Sequence, residues 1–166
     1  MEDRGMTKEE AFPKPILVIN HADGSKYPFE LADDFIFNWE HKGLLKGYEN
    51  PIYQIKIPKG YFTDFASIPR VFQGIFDAVN DVAPAAIAHD WCYSIELFER
   101  SICDQVLYDA MRVNGIGLLR AKTIWSAVRV GGWTSWPHDT AERYADRELY
   151  QSRFGKEAPA TYFYKS

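Results

Sequence analysis

The sequence predicts an α+β chain, a small antiparallel β-sheet followed by a half built from three or four helices. Two periodicities and the break between them carry this assignment. Up to Pro58 apolar residues recur at every second position, whereas beyond Gly60 they recur at helical spacing. At 166 residues, 46% hydrophobic and 16% aromatic, the chain has ample material for one core.

Taken in order, residues 1–14 read as a mobile N-terminal arm, and residues 15–153 as a single domain. Within it the sheet occupies 15–60, the TDFASIPR loop and helices occupy 61–136, and 154–166 form a C-terminal tail. The segment ILVIN is an apolar run, and Asp23-Gly24 after it is a turn signal. In DFIFNWE, Phe35, Phe37 and Trp39 alternate with Asp34, Ile36 and Asn38; in YQIKI, Tyr53, Ile55 and Ile57 alternate with Gln54 and Lys56. Both patterns describe strands with one buried face, and HKGLLKGYENP between them reads as a loop.

The helical half starts after YFTDFASIPR, a loop in which Ser67 and Pro69 form a helix-start signal. A first helix is expected from near Pro84 to at least Tyr93. A second follows Ser101, whose spacing to Asp104 fits a capping-box variant, and it ends at Asn114-Gly115. A third spans about Leu118 to Val130, burying Leu118, Ala121, Trp125 and Val128, with Lys122, Ser126 and Arg129 on its polar stripe. A fourth, more polar helix is expected over Asp139 to Arg153.

Charge narrows the function classes. The formal net charge is −4, so no overall basic field holds nucleic acid non-specifically. Basic residues do gather between Ala110 and His138 (Arg112, Arg120, Lys122, Arg129) without an acidic one, which reads first as the solvated side of a helix. Cys92 and Cys103 do not make a disulfide framework, and buried free thiols are expected. The charged N-terminal stretch has no secretory signal, no apolar run approaches the roughly 18 residues of a membrane span, and residence in a cytoplasm is the simplest reading. His21, His41 and His138 lack ligand spacing, so zinc is not indicated.

The stretch AAIAHDWCY places His89 and Asp90 side by side in an alanine-rich helix. Neutral imidazole accepts a proton near pH 7, and works best as a base when its other nitrogen donates to a carboxylate. Asp90 is not that carboxylate, because adjacent helical residues point about 100° apart. It is placed instead to ligate a hard cation or to receive backbone N–H groups of a neighbouring loop. The orienting carboxylate comes from the second helix, from Asp104 if the first helix stops near Tyr93 or Ser94, from Asp109 if it runs on to Phe98. Asp104 is preferred, because SIELFER is long enough to hold the connection.

The motif His89-Asp90-Trp91-Cys92-Tyr93 resembles the active-site helix of the secreted phospholipases A2. The short bacterial and viral members pair such a helix with a second one, to which Cys103-Asp104-Gln105-Val106-Leu107-Tyr108 and Met111 are similar. This resemblance implies an antiparallel helix pair, with His89 activating water for attack on an ester. It implies that Asp104 steadies His89, that Tyr93 joins the network, and that Asp90 binds calcium, with Asp64 as a second acidic donor. A second resemblance covers about residues 50–136. Ile55 to Arg70, His89 to Tyr93 and Asp104 to Met111 look like an uncharacterised domain family of bacteriophages and prophages. It implies a phage-encoded protein of the host cytoplasm or virion, with phage structural or host proteins as partners, whereas a lipid or other ester substrate is what the phospholipase resemblance implies.

The rival reading is non-catalytic, a virion or accessory protein whose His-Asp network is structural. There His89 bonds to a second-helix carboxylate while Asp90 is held by the TDFAS loop, and Thr63, Asp64 and Ser67 lock the turn that carries Arg70, an anchor for an acidic side chain such as Asp90.

Overall fold

The structure, a computed structural model, describes residues 5–21, 29–63 and 78–131. Its elements are α1 (Lys8–Ala11), β1 (Val18–Asn20), β2 (Phe29–Leu31), β3 (Phe35–Glu40), β4 (Ile52–Ile57) and β5 (Phe62–Thr63), followed by α2 (Ala78–Ser94), α3 (Arg100–Val113) and α4 (Leu118–Gly131). The α+β class is as expected, with strands first and helices later. The expected single sheet is two, a three-stranded antiparallel sheet in the order β1-β2-β5 and the antiparallel hairpin β3-β4.

Alternation in the sequence reads directly into the hairpin. Phe35, Phe37 and Trp39 are buried and face Ile57, Ile55 and Tyr53 across the ladder. Each such side chain contributes roughly 1.5–3 kcal/mol when fully withdrawn from water. Beyond the ladder, His41 closes the connecting loop: its Nε2 donates to the Asn50 carbonyl at 2.7 Å, and its Nδ1 accepts the Leu45 amide. By contrast, β1 exposes Val18 and Ile19, as the chain just before it exposes Leu17, so the ILVIN run is an edge rather than a core strand. β2 and β5 were not marked by any alternation, being only three and two residues long.

Within the stretch expected as a mobile arm, residues 7–12 pack against the strands. Thr7 and Glu10 form a reciprocal capping box around α1, Ala11 is fully buried, and Phe12 stacks on Phe37 with centroids 4.9 Å apart. The Glu10 carbonyl also accepts from the Asn38 side chain.

Helix α2 begins six residues before the Pro84 start signal, so Pro84 lies inside it. The overriding term is burial: from Val82 to Tyr93 all but Pro84 and Asp90 are buried, as in a helix packed on all sides. Alanines at 83, 85, 86 and 88 let neighbouring elements approach closely. α3 runs antiparallel to it, with Tyr93 meeting Asp104 at one end and Asn114 reaching the Asp81 carbonyl at the other. The Ser101 capping signal is also corrected, since Glu99 is the N-cap residue and Asp104 is engaged elsewhere. At the far end Gly115 N–H bonds to Arg112 O and Ile116 N–H to Met111 O, a Schellman closure at Asn114-Gly115. α4 is rotated from expectation: Ala121, Ile124 and Val128 are its buried residues, while Leu118 is about half exposed. Among the described residues no helix is long and apolar enough to cross a membrane. The expected helix over 139–153, the tail over 154–166 and the Asp23-Gly24 turn lie outside the described residues.

Candidate functional site

Three helices converge on one carboxylate. Asp104, fully buried in the first half of α3, receives His89 Nε2 at 3.0 Å and the Tyr93 hydroxyl at 2.5 Å on Oδ1, and Arg129 Nη1 at 3.0 Å on Oδ2. His89 and Tyr93 are four positions apart and therefore share one face of α2, which is why both reach the same oxygen. α2 stops at Ser94, and the five-residue connection Ile95 to Glu99 brings Asp104 level with His89. Asp109 lies elsewhere, accepting from Trp39 and Gln105.

The electrostatics follow from these contacts. Burial is the largest influence on Asp104 and opposes its ionisation. Hydrogen bonds from His89 and Tyr93, the charge of His89 and the bond from Arg129 outweigh it, so the carboxyl sits below its usual 3.8. Tyr93 shifts the opposite way, raised by burial and then by the neighbouring Asp104 carboxylate, so it stays a neutral donor. With Nε2–H donated to Asp104, Nδ1 is the ring nitrogen at which His89 would exchange a proton. His89 itself is 2% exposed.

Asp90 points to another neighbour, as the 100° step requires. Its Oδ2 accepts from the Thr63 hydroxyl at 2.6 Å, joining the end of β5 to α2. Close by, the Ser94 hydroxyl donates to the Asp90 carbonyl at 2.8 Å and lies 2.9 Å from the Tyr61 hydroxyl. Asp64, Ser67 and Arg70 lie outside the described residues. Among the described residues no group of three His, Cys, Asp or Glu is arranged to hold a metal ion.

Arg129 is the network member that sequence reasoning placed wrongly, on the solvated stripe of α4. Its one legible signal is the four-residue spacing from Trp125, whose ring its guanidinium covers at 5.8 Å from the centroid. Arg100 supports it from below, donating through both terminal nitrogens to the Arg129 carbonyl at 3.3 Å, near the end of α4, where a cation complements the helix dipole. Cys92 and Cys103 are free and buried between α2 and α3; the Cys103 thiol donates to the Phe98 carbonyl at 3.5 Å, and burial pushes the Cys92 thiol well up.

The family model described as "Protein of unknown function (DUF1353)" matches residues 45–128, from the β3–β4 loop to the last turns of α4. No curated protein and no solved structure matches the chain.

Proposed function

We propose, for a chain that belongs to the DUF1353 family of proteins of unknown function, that His89 is the general base of a hydrolytic centre acting on ester bonds. The observation that carries this is the His89–Asp104 bond, with Asp104 itself held by Tyr93 and Arg129. A carboxylate fixed by two further donors holds the imidazole in one tautomer and stabilises the imidazolium that forms when Nδ1 takes a proton. In the reaction, the oxygen of a water molecule attacks the ester carbonyl as its proton passes to Nδ1. The imidazolium then returns that proton to the departing alcohol.

The phospholipase-like motif supports a lipid or related ester as substrate. The wider resemblance supports a phage-encoded protein of the host cytoplasm or virion. Calcium enters through Asp90 and Asp64. Calcium takes about six to eight oxygen ligands, and the described residues offer one carboxylate already bonded to Thr63, so no step is routed through the ion.

A second reading has its own observation, the 2% exposure of His89. There the network is a clamp joining α2, α3 and α4 in a virion or accessory protein that binds other proteins and turns over nothing. His89→Asn separates the two. Hydrolysis of phospholipid vesicles and of a soluble chromogenic ester is followed with and without calcium, alongside the melting temperature. General-base catalysis predicts that hydrolysis falls at least about 100-fold while the variant still melts cooperatively. Absence of hydrolysis by the unmodified protein, with a lowered melting temperature in His89→Asn, sinks the enzyme and favours the clamp.

A further inference from the structure

α3 presents a second set of ionisable groups away from His89. Asp104 and Asp109 are five positions apart, which sets them about 140° apart around the helix axis. Asp109 thus turns to β3, where its Oδ2 accepts from Trp39 Nε1 at 2.9 Å and its Oδ1 from Gln105 at 2.8 Å. Beside it opens a cleft of about 200 Å³, between the Gly5–Met6 stretch, β3 and α3. Glu40, Lys42, Asp109 and Arg112 line it, together with apolar wall from Trp39 and Val113.

Two acids and two bases around so small a space would be expected to pair with one another. Among the described residues none of the four makes an ion pair. Asp109 takes two neutral donors, and Arg112 donates to the Ile116 carbonyl. Lys42 and Glu40 act on Asp109 through charge alone, in opposite directions, and burial is the largest influence on that carboxyl, pushing it up. A partly buried carboxylate satisfied only by neutral groups is compensated best by a cation brought to it. Fixed charges of both signs, held apart, select a ligand that carries both.

We infer that this cleft is a binding site for a small zwitterion of the amino-acid class, whose ammonium group meets Asp109 and Glu40 and whose carboxylate meets Lys42 and Arg112. The volume agrees with a ligand of that size, being below the roughly 300–1,000 Å³ of pockets for drug-sized molecules. The site is separate from His89, since none of the residues that line the cleft bonds to His89 or Asp104.

The Trp39 indole N–H, bonded to Asp109, is a local reporter. Its nuclear magnetic resonance signal, assigned by its disappearance in Trp39→Phe, is followed in the full chain against glycine, L-alanine, ethylammonium and acetate. Expected is a saturable shift with glycine or L-alanine, and binding at least about ten-fold weaker for the two single-charge probes. Asp109→Asn keeps an acceptor for the indole and Arg112→Met keeps the helix; each weakens amino-acid binding about ten-fold or more. No saturation with either amino acid overturns the site. Equal binding of ethylammonium overturns the zwitterion, and undiminished binding in both variants overturns the assignment of residues.

Discussion

At the scale of the residue, Asp104 is where the largest opposing terms meet. Withdrawing a carboxylate from water costs several kcal/mol, and three donors, one of them a guanidinium, offset it. Its folded-state pKa lies below the ordinary 3.8, so the stability it confers is fully present above about pH 4 and is lost as pH falls through the lowered value. Urea unfolding of the unmodified protein and of Asp104→Asn checks this. The variant is expected to be less stable by about 3 kcal/mol at neutral pH, with the gap narrowing on acidification; a gap unchanged down to pH about 3 would exclude an ionised Asp104. The choice of Asp104 over Asp109 was legible because it depends only on where α2 ends. Arg129 was not, because whether an arginine faces water or a buried acid depends on the rotation of α4 against its neighbours.

Among elements, the helix ends show which local signals survive packing. Asn114-Gly115 closes α3 as its sequence predicts, since Gly115 adopts φ of +92°, a conformation that disfavours any Cβ. A Cβ built there meets nothing within 4 Å, so the cost of Gly115→Ala is purely conformational. Thermal or urea unfolding should place it at about 1 kcal/mol; a loss several times larger would mean contacts beyond the turn. Pro84 and Ser101 failed as start signals for different reasons. A proline costs a helix about 3 kcal/mol in its interior, yet α2 buries most of its surface and extends through it. Ser101 lost its capping role because Glu99 already begins the helix. The two strands of the hairpin and the buried face of each were readable from alternation, whereas β2 and β5 have too few residues to show it.

For the whole molecule, one hydrophobic cluster runs from Ala11 and Leu31 through Phe37 and Ile55 to Ile87, Met111 and Ile124. Strands and helices share it, so they should unfold together. Tryptophan fluorescence and far-ultraviolet circular dichroism are expected to give superimposable urea curves with one midpoint; separated midpoints would show two independently stable halves. The class of fold was legible from the switch in periodicity, but the docking of the N-terminal segment was not, because a single helical turn such as Lys8–Ala11 has no periodicity of its own. Docking also bears on the order in which the chain assembles. The α2–α3 pair and the β3–β4 hairpin each join residues close in sequence, whereas the Trp39–Asp109 bond joins residues 70 positions apart. Loop closure of that length is costly before native contacts repay it. The hairpin and helix pair are therefore expected to form as separate units, with the cleft between them appearing only when they meet, as the last step of folding.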